Sequence, residues 1–575
     1  MRRRPLLLAL LATLWAADAC QSPAPPARVG KPGGALRYRV TSPPRTFNYL
    51  KAADDSSLIV SFYLMGGRLA EFDHEALRYV PGVAEMWRQA DDGRTVELTL
   101  RDGVRFSDGQ PVTAEDVSFT FRALYDERTG ATAFRDAMLI GGRPIGVTVV
   151  DARRLRLVFP EPVASPENYL SNLAVLPRHR LEAEFDRGTL GDAYGPTADP
   201  AGVVTAGAFS LQSAVPGERI TLWRNPHYWK KDASGKSLPY LETLAVEVIS
   251  DANNAIARLG QGSLDVYDRI RPADYAALRA GSARAQALDL GPGLNTDHMW
   301  FNLKPDGLNS DGRPAGGEAK RAWFHDLRFR RAVSHAIDRE SIARLTLQGL
   351  ATPLYGFVSP GNRAWAAADL PRIGLDPARA RALLAEAGFT WRGAPDGEEI
   401  YDREGRRVEF TLIVPADSQA RVAMATVVQA DLARLGMKVQ VAPLEFGELT
   451  RRISQSYDYD AALLGTILTE PDPSSYTNFL SSASTAHQWH PKQSRPATEW
   501  EARLDELAAA QARERNPERR RAIFREAQLL LAEYLPVIPL VSRHVMTAAD
   551  RRVGNYRPSA LLPYSLWNAE EIFVR

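Results

Sequence analysis

The 575-residue chain contains a single cysteine, Cys20. That scarcity excludes a disulfide framework and a cysteine-built metal centre, and it leaves the fold to be held by core burial. No charge of one sign dominates. There are 71 Lys and Arg against 69 Asp and Glu, a formal charge of +2, so the basic field that nucleic-acid binding requires is missing and nucleic acid is not an expected partner. Long apolar runs are also missing: beyond the first twenty residues no window approaches 18 apolar residues free of charge, which excludes a multi-pass membrane protein. The Walker, nucleophile-elbow and His-Glu-x-x-His signatures do not occur. Gly260-Gln261-Gly262 and Gly291-Pro292-Gly293 are incomplete glycine patterns and read as turns. What is present is a composition of ordinary globular type, with 41 Gly and 39 Pro, at a length that predicts two to four domains.

The first residues carry an address. Arg2, Arg3 and Arg4 precede Leu6 to Trp15, an apolar run broken only by Thr13, and Ala17 and Ala19 precede Cys20. This is the shape of a signal peptide over residues 1–19. The small residues before Cys20 resemble a bacterial lipobox, which predicts lipidation at Cys20 and a place in the periplasm or cell envelope. Ordinary cleavage after Ala19 is the alternative. Removing residues 1–19 takes away three Arg and one Asp, which leaves a formally neutral chain. Residues 20–34 are rich in Pro and Gly, without periodicity, and predict an extended tether.

Beyond the tether the pattern is mixed α/β. Ala35 to Val40 alternates as a strand before Ser42-Pro43-Pro44. Val96–Leu100 and Val104–Phe106 flank Asp102-Gly103 and predict a hairpin. Thr113, with Asp116 three residues on, predicts a capped helix whose apolar face is Val117, Phe121 and Leu124. Residues 146–159 and 206–223 predict two more hairpins. In the second half, 326–338 places Phe329, Ala332, Val333, Ala336 and Ile337 on one helical stripe, with Arg328, Arg330 and Arg331 elsewhere. A helix over 376–388 stops at Gly388. Residues 408–464 then alternate strand, helix, strand, helix, strand, which predicts parallel pairing with right-handed crossovers. Trp500 to Tyr534 reads as one helix leading to the strand 536–541.

Candidate chemistry is sparse. His487 and His490 have the spacing of two metal ligands, but no third ligand is near in sequence and the segment reads as loop, so no metal site is assigned. No pair among the many carboxylates is singled out as acid and base. The absence of a catalytic signature favours binding over catalysis, with no enzyme activity and no cofactor expected.

One stretch is diagnostic. YVPGVAEMWRQADDGRTVELTLRDGVRFSDGQPVTAEDVSFTFRALY, residues 79–125, resembles the signature region of bacterial extracellular solute-binding protein family 5, the peptide, dipeptide and nickel binders of ABC importers. Further matches follow in order: Gly207 with WRNPHYW (223–229), FNLK (301–304), HDLRFRRAVSHAIDRESI (325–342), VSPGN (358–362) and DLARLGMKVQV (431–441). The resemblance implies a two-lobed α/β periplasmic-binding-protein fold of the large class II type with its ligand cleft between the lobes. It divides the chain into an N-terminal lobe over 35–295, with an extra subdomain and completed by 540–575, and a second lobe over 296–539. It also implies a monomer that captures a peptide or other small solute by lobe closure and delivers it to an ABC permease in the inner membrane.

In peptide binders of the family a Trp and an Asp precede an acidic-Pro pair, and the Asp holds the peptide amine. Aligned on Asp472-Pro473, those positions here are Thr466 and Thr469. Glu470, one residue on, could replace the missing acid, and the alternative is a solvated loop carboxylate. Thr466, Leu468, Thr469 and Glu470 are therefore the expected ligand-binding residues. Ser42 is added as the match to an early ligand-facing segment, and Trp300 from a strand expected to cross between lobes. Alternation puts Met299 and Phe301 opposite Trp300, either with one side toward ligand or with both in the core. A non-peptide solute, such as a metal chelate, sugar or glycoside, is the alternative cargo, and an envelope enzyme or chaperone on the same fold the more distant one.

Overall fold

The computed structural model describes residues 29–304, 317–393, 397–466, 468 and 470–575, with no statement about the side chains of 317 and 318. Cys20, the leader, most of the tether and Thr469 lie outside the described residues. Alternating strands assemble around one long element, the 14-residue strand Val537–Asp550. The sheet runs Lys438–Leu444, Glu409–Pro415, Ala461–Thr466, Thr296–Phe301, Val537–Asp550, Val266–Asp268, Ala35–Val40, Thr243–Val248, Arg219–Arg224, Phe209–Val215. Glu409–Pro415 pairs in parallel with both of its neighbours, as the strand-helix alternation predicts.

The long strand changes partners along its length. Val537 to Val541 oppose Asp297–Trp300, whereas Thr547 to Ala549 oppose Val266–Asp268 and the segment from His544 onward opposes Ala285–Pro292. The cores divide at the same place. One apolar cluster collects residues between Met299 and Val541. Others gather Leu36 to Ile572, Ile249 to Ala548, and the helix and four-stranded sheet built from residues 49–206. Two backbone segments, around Pro292–Asn295 and Ser542–His544, therefore join two bodies. They are tied to each other: Ser542 Oγ donates to Asn295 O at 2.9 Å, Ser359 Oγ to Gly293 O at 2.5 Å, and Gly293 N to Arg543 O at 3.1 Å. Gly361 is needed here, since a Cβ would lie 2.1 Å from Pro292 O. The glycines of Gly291-Pro292-Gly293 are thus part of this joint.

Local signals act as their chemistry dictates. The helix Ala114–Tyr125 opens on Thr113, whose N–H and hydroxyl both donate to Asp116, at 2.8 and 2.7 Å. The Leu327–Ala336 stripe is buried as expected. Three expectations are corrected. Val104–Phe106 forms no hairpin with its predecessor; Thr95–Leu100 is instead sandwiched between Ala84–Gln89 and Arg154–Val158, because the pairing edge goes to longer strands. The span Trp500–Tyr534 is two antiparallel helices, Glu499–Arg513 and Pro517–Tyr534. Asn516 caps the second by accepting from Glu518 N and Arg519 N, with Pro517 at its first position. Arg330 is not on a solvent face: it is buried and donates to the carbonyls of Phe324, His325, Tyr534 and Leu535.

Candidate binding cleft

The loop after strand Ala461–Thr466 lies beside the joint. Thr466 Oγ1 is 2.8 Å from Thr296 Oγ1, and Leu468 N donates to Asn295 Oδ1 at 2.9 Å. Leu468 also packs against the C-terminal core. The far end of the loop is clamped. Asp472 takes both arms of Arg520, at 2.8 and 2.7 Å, and caps the short helix Pro473–Tyr476 through Ser474 N. Asn362 Nδ2 holds Pro471 O at 2.8 Å. The acid of the Asp-Pro pair that anchors the sequence alignment therefore sits in a buried ion pair with Arg520 that holds the loop.

Between these fixed points Glu470 leaves its own body. Its carboxyl meets Tyr79 Oη at 3.0 Å and Ser171 Oγ at 3.5 Å, both from the N-terminal body. Burial pushes the Glu470 carboxyl up to about 7, and nearby Asp472 adds to the rise, against Tyr79, the Arg68 charge and Ser171, which favour the ionised form. Tyr79 Oη also lies 3.1 Å from Asn168 Oδ1. One phenol has one proton, so a neutral Glu470 can donate to Tyr79 while Tyr79 donates to Asn168.

A second set of contacts joins the two bodies at the rim. Ala164 N donates to Ala512 O at 2.8 Å, Arg513 pairs with Glu161 at 2.8 Å, and Arg515 donates to the carbonyl of Ala90 at 3.2 Å. Nearer the joint, Arg421 and Arg543 both bind the buried Asp297, at 2.8 and 2.6 Å, two cations on one anion. The structure thus brings the bodies into contact around one cleft.

Of the expected site residues, Thr466, Leu468 and Glu470 come together there. Ser42 is exposed just beyond strand Ala35–Val40. Trp300 is fully buried in the C-terminal core, with Nε1 donating to Tyr459 Oη at 3.1 Å, and the flanking Met299 and Phe301 are equally buried. His487 commits Nδ1 to Phe479 O and faces Glu501 with Nε2; no cluster of three metal-ligating side chains occurs among the described residues. Sequence reasoning missed Tyr79 and Ser171, which lie some 300 to 400 positions from Glu470 and carry no local signal of a shared site.

Comparisons with known proteins agree on one family. The family described as bacterial extracellular solute-binding proteins, family 5 middle, matches residues 78–488. A protein of Deinococcus radiodurans named as a probable ABC transporter-binding protein is 30% identical over 449 residues, covering 75% of this chain and 73% of that one. Among solved structures, the oligopeptide-binding protein AppA of Bacillus subtilis in complex with a nonapeptide superposes with a TM-score of 0.69 at 23% identity, covering 95% of this chain and 99% of that one. NikA of Brucella suis in complex with Fe(III)-EDTA gives 0.74 at 20% identity, covering 94% and 100%.

Proposed function

The chain belongs to bacterial extracellular solute-binding protein family 5, and from that premise we propose that its cleft captures a peptide-like solute and releases it to an ABC permease. The observation that carries this reading is the reach of Glu470 from one body to Tyr79 and Ser171 of the other. A ligand in that position touches both walls. It therefore has higher affinity for the closed state, which is the condition for a solute to drive closure. The same proposal takes the two bodies as the two lobes, an N-terminal one over 35–295 completed by 540–575 and a second over 296–539. Thr466, Leu468 and Glu470 line the C-terminal wall; Thr469 and Ser42 belong to the same proposal on sequence grounds. A monomer acting by binding alone, without chemistry on its cargo, suffices for this role, and Cys20 is the proposed lipid anchor at the envelope.

A second reading, a non-peptide solute, is favoured by one feature: Thr469 stands where peptide binders of the family have the amine-holding acid. NikA, which superposes on this fold, holds Fe(III)-EDTA. Mass spectrometry of compounds released from the purified, denatured protein separates the two. Short peptides support the first reading, and one defined small molecule supports the second.

A further inference from the structure

The segment Val358 to Asn362 touches both the joint and the loop that carries Glu470. It starts from firm ground: Phe357 and Val358 are buried in the C-terminal core, where Phe357 stacks on Phe479 at 3.7 Å. The preceding strand Ala351–Pro353 pairs with Val541–Arg543, the stretch of the long strand that enters the joint. Ser359, fully buried, then donates from Oγ to Gly293 O at 2.5 Å and lies 2.9 Å from Ser542 Oγ. Three residues on, buried Asn362 donates from Nδ2 to Pro471 O at 2.8 Å, the carbonyl next to Glu470. The other end of the loop hangs from the joint as well. Leu468 N donates to Asn295 Oδ1 at 2.9 Å, and Asn295 O accepts from Ser542 Oγ at 2.9 Å.

Turning of one body against the other is absorbed by a few backbone dihedrals where they join. Gly293 and Asn295 lie there, so a turn re-aims the very acceptors that Ser359 and Leu468 use. A hydrogen bond weakens steeply as it bends, and a hydroxyl cut off from water finds no replacement. The angle of the joint and the placement of the Glu470 loop are therefore tied. We propose that Ser359 and Asn362 are positioning residues: the strap 358–362 couples the joint to the loop, so that Glu470 is aimed at Tyr79 when the joint takes its closed setting. The inference rests on the solute-binding reading above and names how that site is regulated. The Asp472–Arg520 pair holds the same end of the loop, but it ends on the helix Pro517–Tyr534, which supplies none of these bonds to the joint, so it fixes the loop without following the angle.

The test reads the closed-to-open ratio of the ligand-free protein at pH 5.5, by pulsed electron resonance between spin labels on cysteines introduced at the exposed positions Asp102 and Glu506 of a Cys20→Ser background. Tyr79→Phe, which removes the phenol that Glu470 meets, is made alone, with Asn362→Ala and with Ser359→Ala. Alone it should lower the ratio about fivefold, as loss of one hydrogen bond implies. In each strap variant, where Glu470 is no longer aimed at the phenol, the same substitution should cost less than about twofold. A loss of about twofold or more in either strap variant would make the strap a support of the fold alone and overturn the proposal, and so would a Tyr79→Phe change without effect on the intact strap. Should a strap variant not fold, the other decides; should neither fold, hydrogen exchange on Tyr79→Phe decides. The amides of Gly293, Gly361 and Leu468 donate to Arg543 O, Ser359 Oγ and Asn295 Oδ1. All three should exchange about twofold or more faster than in the unmodified protein, and a smaller change at Gly293 or Gly361 overturns the proposal. The solute-binding reading fails separately, where restoring the released ligand to the unmodified protein leaves the distance between the labels unchanged.

Discussion

Two carboxylates two residues apart in one loop have opposite fates. Asp472 is buried and held by both arms of Arg520, by Ser474 N and by the helix it caps. Among the described residues Glu470 has no cation in contact, is held up to about 7 by burial, and finds its partners across the cleft. The difference teaches which acid belongs to the fold and which to the site. A paired, capped carboxylate holds the loop in place, whereas a carboxylate satisfied only by the other body is free to respond when that body moves or a ligand enters.

The largest effect expected from this contrast is at the clamped end. Arg520→Met leaves Asp472 buried without its partner and should cost about 3–5 kcal/mol in denaturant unfolding, whereas Glu470→Gln should leave unfolding near pH 8 almost unchanged. A loss for Glu470→Gln as large as that for Arg520→Met would erase the distinction.

The second effect is a pH dependence. The Glu470 carboxyl is raised above its ordinary 4.5, so the closed form prefers the neutral acid. Its contribution to closure is complete below pH about 4.5 and is lost as pH rises through about 7. Solution scattering of the ligand-free protein should therefore show a more open average shape at pH 8.5 than at pH 5.5, and Glu470→Gln should flatten the change. A steeper opening in that variant would place the titrating group elsewhere.

Tyr79→Phe removes the phenol that links the walls. It should weaken closure by about 1 kcal/mol, roughly fivefold in the closed-to-open ratio, with little change in global unfolding. The smallest effect is at the rim. Arg513 is half exposed and pairs with Glu161, so Arg513→Ala should shift closure by no more than about 0.5 kcal/mol and lose even that in high salt. A rim effect larger than the Tyr79 effect would make the outer contacts the true latch.

Much of the fold was legible because period and caps act locally. The strand Ala35–Val40, the Thr113–Asp116 cap and the parallel pairs around Glu409–Pro415 follow from spacing alone. Failures came where competition or a tertiary partner decides. Val104–Phe106 lost its pairing edge to Ala84–Gln89, and Arg330 was drawn inside by helix-end carbonyls hundreds of residues away. The signal for the break at Asn516-Pro517 was present, since an Asn followed by Pro caps a new helix, but the charged Ala-rich run masked it. The C-terminal wall of the site was readable as Thr466 to Glu470, since it is one continuous segment. Its opposite wall was not, because Tyr79 and Ser171 meet Glu470 only through the course of the chain.

The central claim, that the two bodies close on a solute held between Glu470 and the N-terminal wall, is tested most directly by a distance. With Cys20 replaced by Ser, cysteines introduced at the exposed positions Asp102 and Glu506, one on each body, can carry spin labels. Pulsed electron resonance at pH 8 should show a broad distribution for the ligand-free protein that collapses to a single short distance when its released natural ligand is restored. An identical distribution with and without that ligand would contradict the account.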